Sequence, residues 1–250
     1  MKNYLLIIQY DGSAYHGWQK QKNTANTIQE VLEHTIGNLL GEKIELHGSG
    51  RTDSGVHALG QAANFKCKAF LPSDFLQNLN EGLPPDIKVT SLSEVPIEFH
   101  SRFSAVAKQY EYYICCEDRP SVFRRKYVYH IEKKPDMEAM RQAARLFTGM
   151  HDFRSFSSEK NPEKGCSRTI YEITVTEERG EIVLSFYGNG FLYNMVRILS
   201  GVLLKVGTGE LKLEEIEAAL HTGEREFAKG ILPACGLVLK QVFYENGNWK

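Results

Sequence analysis

Residues 48–61 read GSGRTDSGVHALGQ, and the four glycines in this run are untypical of the interior of a strand or a helix. The run lies between two alternating segments, 43–47 and 62–66, which we interpret as strands. A loop held between two strands presents a reactive side chain rigidly, and here Arg51 stands two positions before Asp53. The run therefore predicts a functional loop that carries an acid with a guanidinium nearby.

Other interpretations of this run fit less well. Asp53 stands where the third glycine of a dinucleotide-binding G-x-G-x-x-G would lie, and its charge would repel a pyrophosphate. The run contains neither the G-x-x-x-x-G-K-[ST] phosphate loop nor the G-x-S-x-G nucleophile elbow. The simplest alternative is an ordinary turn in which Asp53 bonds its own backbone. For chemistry, the remaining hypothesis is Asp53 as a nucleophile or acid/base, with Arg51 nearby to keep it ionised.

Residues 50–58, GRTDSGVHA, resemble the G-R-T-D-A-G-V-H-A block of the TruA-type tRNA pseudouridine synthases. Further segments resemble later and earlier blocks of that family in the family's order: 10–12, 17–21, 108–112, 151–156, 189–197 and 233–237. The departures are Ser54 in place of the usual alanine and a less bulky strand at 62–65, and neither touches a catalytic role. On these motifs the chain is identified as a member of the family, of the anticodon-arm type.

The resemblance implies an isomerase that converts uridine to pseudouridine in the anticodon stem-loop of tRNA, around positions 38 to 40. The N1–C1′ bond breaks, the base turns, and C5 joins C1′, so we expect neither a cofactor nor a metal. One carboxylate is sufficient, and it can act at C6 of the base or at the ribose; both paths stay open. The alternatives are a nucleoside N-glycosidase, or a catalytically silent RNA-binding protein of the same fold, which would be expected to lose Asp53, Arg197 or Tyr110.

The resemblance assigns roles to residues beside the Asp53 nucleophile. Arg197 matches the family's basic residue in an N-x-x-R segment and is expected to form the ion pair with Asp53. Tyr110 matches the aromatic residue that stacks on the flipped base, although another tyrosine shares its face of the strand. Leu237 resembles the apolar residue that packs under the base. Arg51 is then left to contact an RNA phosphate or to help extrude the nucleotide, and which arginine dominates the ion pair stays open.

The charge of the whole protein gives little support to an RNA substrate. The 250 residues carry a net charge of −1 and the isoelectric point is near 6.7, unlike a typical nucleic-acid binder. A local basic patch is enough, however, and lysines or arginines beside aromatics such as Phe123 suit phosphate contact with stacking. The candidates for the RNA backbone are Arg124, Arg125, Lys126, Arg154 and Arg168, in stretches that also contain Arg119, Lys133, Lys134, Lys160 and Lys164.

The sequence predicts a cytoplasmic protein. The apolar stretch 4–8 is too short for a signal peptide and lacks a cleavage site, and no apolar run approaches the roughly 20 residues that span a bilayer. The five cysteines are scattered without a C-x-x-C pair, and no histidine stands at ligand spacing from one, so a zinc site is not expected.

The predicted elements follow the order strand, helix and strands, twice over. The predicted strands are 3–10, 43–47, 62–66, 86–92, 108–116, 167–176, 181–187 and 237–244, and the predicted helices begin at 28, 72, 135, 190 and 213. This order favours an α+β fold of two related α/β halves: 1–104 with the catalytic loop, and 105–250 with the base-stacking tyrosine and the ion-pair arginine. The resemblance adds antiparallel sheets, a central cleft (the pseudouridine synthase fold) and a homodimer.

Overall fold

A computed structural model describes residues 1–68, 70–117, 121–159, 161, 165–223 and 230–245. The chain forms two compact units, of which the first comprises Met1–Val106 with the segment that begins at Val238, and the second Ala107–Leu237. The sequence assigned all of 105–250 to one half. The segment from Val238 lies in the first unit instead, because its strand pairs with a strand of that unit.

The strands are up to twelve residues long and the helices up to thirteen. The strands are β1 (Lys2–Tyr10), β2 (Leu46–Gly48), β3 (His57–Cys67), β4 (Ile87–Val95), β5 (Ala105–Cys115), β6 (Tyr129–His130), β7 (Gly149–Asp152), β8 (Ser167–Glu178), β9 (Glu181–Gly188) and β10 (Leu237–Tyr244). The helices are α1 (Ile28–Leu40), α2 (Phe75–Gly82), α3 (Met137–Leu146), α4 (Met195–Gly207) and α5 (Leu213–Thr222). The predicted α+β class is confirmed.

The first unit has a sheet of order β4–β1–β3–β10, in which β1 is antiparallel to both β3 and β4. Two strands share the other edge of β3. At one end of that edge β10 runs parallel, with Val238 opposite His57, and at the other β2 runs antiparallel, with Leu46 opposite Phe65. Strands β2 and β3 therefore hold both ends of the loop 49–56.

Helix α1 begins where the capping sequence predicts. The Thr27 side chain accepts a hydrogen bond from the Glu30 amide at 3.3 Å, and Ile28, Leu32 and Ile36 are buried on one side of the helix. The burial spacing of four residues is that of an amphipathic helix, and the predicted start of the helix at residue 28 is confirmed.

The glycine-rich run is partly a strand, contrary to the prediction. Strand β3 begins at His57 and continues through Gly60, so the loop itself covers only 49–56. A Cβ atom at Gly60 would lie 2.5 Å from the carbonyl oxygen of Lys240 on β10. Glycine is therefore needed there for the close approach of a neighbouring strand rather than for a loop conformation.

The second unit has an antiparallel sheet of order β5–β9–β8–β7, with the short β6 parallel to β5. The hairpin between β8 and β9 turns through Arg179 and Gly180, which have φ angles of 54° and 81°. Two positive φ angles define the two-residue turn that matches the twist of paired strands. This turn is tighter than the four-residue connection expected from the sequence.

Helix α4 forms the centre of the second unit, with Ile198, Leu199 and Leu203 fully buried. The sequence predicted its start at 190, which is wrong by five residues. Asn194 has a left-handed φ of 59°, and a helix cannot continue backward through that conformation. Residues 193 and 194 instead form a turn, and Arg197 lies in the first turn of the helix that follows.

Candidate active site

The loop 49–56 is tied to strand β3 by hydrogen bonds near its first residues. The Ser49 amide donates to the Ala62 carbonyl at 2.7 Å, and the Gln61 side-chain amide donates to the Gly50 carbonyl at 3.1 Å. Ser49 and Gln61 are fully buried, so these bonds are shielded from water. The loop therefore leaves the sheet in a defined direction.

Asp53 begins a tight turn within this loop. Its carbonyl oxygen accepts a hydrogen bond from the Val56 amide at 3.1 Å, and Gly55 has a left-handed φ of 79°. The side chain of Asp53 is half-buried, whereas that of Arg51 is exposed. The turn that was the simplest alternative for this sequence is thus present. A turn closed by the backbone carbonyl of Asp53 is compatible with a chemical role for its carboxylate.

The segment that follows β1 supports the loop from the interior of the first unit. The hydroxyls of Tyr10 and Thr52 are hydrogen-bonded at 2.8 Å, the Trp18 amide donates to the Thr52 carbonyl at 3.0 Å, and the Ser54 hydroxyl donates to the Tyr15 carbonyl at 3.1 Å. Burial raises the pKa of the Tyr10 phenol well above its ordinary value, so it stays a neutral partner of Thr52. These bonds fix the residues on both sides of Asp53.

Two glycines allow that segment to approach the loop backbone. A Cβ atom at Gly12 would lie 2.0 Å from the Val56 carbonyl oxygen, and one at Gly17 would lie 2.6 Å from the Thr52 carbonyl oxygen. The Gly12 amide also donates to Nδ1 of His57 at 3.1 Å. His57 is 4 % exposed and accepts this bond in the interior of the first unit. Sequence reasoning did not identify this support, although 10–12 and 17–21 belong to the motifs quoted above.

Arg51 is oriented by a chain of side-chain amides. Its Nε donates to Oε1 of Gln19 at 2.9 Å, and Gln19 in turn donates through Nε2 to Oε1 of Gln29 at 2.7 Å. Gln29 is buried in α1 and donates to the Leu46 carbonyl at 2.9 Å. The guanidinium is thus exposed yet anchored, which suits a contact with an external anion.

In the second unit, strand β5 places Tyr110 and Tyr112 on the same face. Tyr112 is fully buried: its hydroxyl donates to the Pro233 carbonyl at 2.8 Å, and a Cβ atom at Gly236 would lie 2.7 Å from its ring. The Tyr110 ring is 8 % exposed and meets the ring of Phe191 edge to face, with centroids 5.3 Å apart. Tyr112 is therefore committed to packing, which removes it as the rival of Tyr110 for base stacking.

Arg197 lies in the first turn of α4 and is held firmly within the second unit. Its Nε donates to the Leu232 carbonyl at 2.7 Å and its Nη1 donates to Oδ1 of Asn194 at 3.1 Å. The side chain is half-buried, and a cation at a helix N-terminus is unfavourable for the helix dipole. These two hydrogen bonds fix the position of the guanidinium at the start of α4.

Leu237, the remaining substrate-side candidate, is 5 % exposed. It directly follows the 3₁₀ turn Ala234–Gly236, whose glycine lies against the Tyr112 ring. The segment 233–237 thus contains both the residues that contact Tyr112 and the candidate Leu237 itself. Asp53 and Arg51 belong to the first unit, and Tyr110, Arg197 and Leu237 to the second.

The basic stretch around residue 124 divides into paired and exposed cations. Arg124 makes a bidentate ion pair with Glu181 at 2.8 and 2.6 Å, and the hydrogen bond to Glu181 raises the pKa of the guanidinium. Arg125 and Lys126 are exposed, as is Phe123 beside them. The charge that this stretch offers to an anion therefore comes from Arg125 and Lys126.

The other basic candidates are mostly engaged with the chain itself. Arg154 pairs with Asp152 at 2.8 Å, and Nη1 of Arg168 donates to the Ser167 carbonyl at 2.7 Å. Lys134 pairs with Glu177 at 2.7 Å, and Lys133 is exposed. The remaining members, Arg119, Lys160 and Lys164, lie outside the described residues.

In the part of the chain that the structure describes, no group of three or more histidine, cysteine or carboxylate side chains could hold a metal ion, and no helix has the length and apolar character of a membrane span. The expectation of a cofactor-free reaction stays a prediction.

The sequence model of a family described as tRNA pseudouridine synthase matches residues 6–104 and 143–245. Three relatives bear the name tRNA pseudouridine synthase A. The protein of Acetivibrio thermocellus is 44 % identical over 245 residues, and that of Bacillus sp. strain KSM-64 is 46 % identical over 245 residues; each alignment covers 98 % of this chain and 100 % of the relative. The protein of Citrifermentans bemidjiense is 45 % identical over 247 residues, 98 % of either chain.

Proposed function

Because this chain belongs to the tRNA pseudouridine synthase family, we propose that it isomerises uridine in the anticodon stem-loop of tRNA, around positions 38 to 40, with Asp53 as nucleophile. The enzyme is an isomerase and its substrate is tRNA. The choice of Asp53 as the nucleophile rests on the hydrogen bonds that hold the residue before it in place. Tyr10 and Trp18 both hold the preceding residue, Thr52, while the carboxylate side chain stays half-buried at the turn.

The reaction needs only one carboxylate because nothing is lost or gained from uridine overall. The N1–C1′ bond breaks, the C5–C1′ bond forms, the hydrogen at C5 leaves to water, and a proton from water is taken up at N1. Asp53 can add to C6 of the ring and leave again, or assist departure of the base at C1′ and remove a ribose proton. Either path requires an ionised carboxylate held in place, which the turn 53–56 supplies.

Arg197 is our proposed partner for the Asp53 carboxylate. Within the second unit, Leu232 and Asn194 each accept a hydrogen bond from its guanidinium, so the side chain is already ordered before substrate binds. A fixed cation keeps a neighbouring carboxylate ionised when the site is partly dry. The proposal requires that the two units bring Arg197 and Asp53 to one site.

Tyr110 and Arg51 are proposed to handle the extruded nucleotide. A flipped uracil loses stacking worth a few kcal/mol, and the Tyr110 ring can replace part of it, since Tyr112 is enclosed by its own contacts. Leu237 is proposed to pack on the other side of the base. Arg51, anchored through Gln19, is proposed to bind a phosphate of the displaced strand.

Contact with the rest of the tRNA is proposed for the exposed cations Arg125 and Lys126, with Arg154 and Arg168 as further candidates. We also propose that the protein forms a homodimer. This proposal rests on the family resemblance, and the sedimentation coefficient of the purified protein tests it. A cytoplasmic location is proposed because all five cysteines are thiols, as a reducing compartment would keep them.

The test uses tRNA carrying tritium at C5 of uracil, purified protein and a chelator. We expect the wild type to release tritium from uridines of the anticodon stem-loop, and Asp53→Asn to bind tRNA but release none, because an amide is neither nucleophile nor base. The matched control is Asp74→Asn, since Asp74 is exposed at the start of α2 and its side chain makes no capping bond.

Each alternative function has its own result in the same assay. An N-glycosidase would release free uracil and leave an abasic site, whereas a silent RNA-binding protein would bind tRNA and retain the label. Turnover of Asp53→Asn within tenfold of wild type would refute the nucleophile, and release only after addition of a metal or nucleotide would refute the cofactor-free reaction.

A further inference from the structure

The connection between β4 and β5, residues 96–104, is anchored by buried polar side chains of the first unit. Asn3 donates through Nδ2 to the carbonyls of Pro96 and Phe99, both at 2.9 Å. The amide and the hydroxyl of Ser101 both donate to Oδ1 of Asn64 at 2.8 Å. Asn3, Asn64 and Ser101 are at most 1 % exposed, so this is a buried and well-connected network. The loop is consequently rigid at its base.

This rigid loop presents an aromatic ring to solvent. Phe103 is 79 % exposed, and its only aromatic contact in the described part of the chain is the ring of His100, with centroids 4.4 Å apart. The guanidinium of Arg102 lies 6.0 Å from the centroid of Phe103, and the ring of His47 lies 5.0 Å from that of His100. A single exposed phenylalanine is common in proteins, so exposure alone would mean little.

The charge around Phe103 makes it unusual. Lys66 of β3 and Arg102 are exposed, and in the part of the chain that the structure describes neither forms an ion pair with a carboxylate. Burial and the positive charges of His47, Arg102 and Lys66 lower the pKa of His100. An exposed ring beside uncompensated cations is complementary to a base with flanking phosphates.

We propose that His47, Lys66, His100, Arg102 and Phe103 form a second tRNA contact, the Phe103 platform, on which one unpaired base stacks. In this arrangement Arg102 and Lys66 bind the phosphates that flank the stacked base. The inference rests on the proposed function for its ligand, tRNA, but involves none of the groups placed at the reacting uridine. The Phe103 platform is connected through the chain to the loop that holds Asp53, because His47 lies in β2, which continues directly into the loop 49–56.

The first unit also contains a matched control. Phe70 is 73 % exposed and has the ammonium of Lys2 4.2 Å above its ring, so it resembles Phe103 in exposure and in its cation. The difference is that Lys2 is paired with Glu94 at 2.5 Å. Since this second patch has no uncompensated charge from Lys2, we expect it not to attract a phosphate backbone.

The experiment measures the affinity of a full-length unmodified tRNA transcript for the protein in the Asp53→Asn background, in which no turnover can alter the ligand. We expect Phe103→Ala to weaken binding about 5- to 100-fold and Phe103→Trp to stay close to the parent, because stacking needs a ring but not a particular one. Phe70→Ala should bind like the parent. Arg102→Met should reduce the slope of log affinity against log salt by about 1.

Three results would overturn the platform: unchanged affinity for Phe103→Ala, an equal loss for Phe70→Ala, or an altered sedimentation coefficient of Phe103→Ala without tRNA. The last would assign the surface to contact with a second copy of the chain. The ring is exposed, so its removal should leave the melting temperature unchanged. The proposed function fails separately, through absence of tritium release by the wild type, whatever Phe103 does for binding.

Discussion

Replacing Gly12 by alanine tests whether the segment after β1 positions the catalytic loop. The added Cβ atom would lie 2.0 Å from the Val56 carbonyl oxygen, whereas Cβ contacts below 3.0 Å essentially do not occur, so the two must separate by at least about 1 Å. Neither partner is a flexible side chain. Gly12 is held by the bond that its carbonyl accepts from the Tyr15 amide at 3.0 Å, and Val56 closes the turn on Asp53.

The displacement should therefore reach the nucleophile. A misplacement of about 1 Å at a reacting group costs on the order of 100-fold in rate, so we expect kcat/KM of Gly12→Ala to fall by about that factor. Tritium release from C5-labelled tRNA measures the rate, and tRNA affinity measures whether the rest of the enzyme is intact. Because overpacking costs about 1–3 kcal/mol, urea unfolding should show a moderately less stable but folded protein.

A second glycine gives the steric control. Among the residues that the structure describes, no heavy atom would lie within 4 Å of a Cβ atom at Gly165, and its φ is not left-handed, so Gly165→Ala should leave both rate and stability unchanged. Activity of Gly12→Ala within threefold of wild type would refute the argument that this segment positions Asp53.

Three further changes test other parts of the site. Arg197→Met should raise the pKa of the nucleophilic carboxylate and lower activity, with partial recovery at higher pH; if Arg51→Met shows that profile instead, the two roles are exchanged. Tyr10→Phe should lower the free energy of unfolding in urea by about 1–2 kcal/mol, because the buried Thr52 hydroxyl loses its partner; no change would contradict that bond. The pKa of His100 is lowered from 6.5 in the folded protein, so the unfolded chain binds a proton at this residue first as the pH falls. The contribution of His100 to the free energy of unfolding is therefore fully present above pH 6.5 and decreases below it. His100→Gln should remove that part of the pH dependence of unfolding.

Local patterns were sufficient for much of the fold and for the family. The capping sequence at Thr27 and the spacing of Ile28, Leu32 and Ile36 depend on neighbours within a few residues, and helix α1 follows them. The closing strand, predicted at 237–244, has those bounds for the same reason. Asp53 was identified by its motif, and family membership is confirmed by matches along nearly the whole chain.

The errors arose where a distant part of the chain set the local structure. The glycine-rich run extends into β3 because β10, about 180 residues later in the sequence, approaches Gly60 too closely for a side chain. The ion pair of Arg124, a candidate for the RNA backbone, was not foreseen either, because its partner Glu181 lies 57 positions away. Such partners are invisible to periodicity, which compares only neighbouring residues.

The sequence alone therefore determined the class of fold and the family, since these are recorded in residue types and short-range order. Only the tertiary structure decided how residues of the same type differ in burial and in the charges around them. Tyr112 is fully buried against Pro233 and Gly236 whereas Tyr110 is 8 % exposed, and Phe103 stands beside uncompensated cations whereas Phe70 does not. The physical reason is that burial and charge compensation belong to the surroundings of a side chain, and folding assembles those surroundings from segments far apart in the chain.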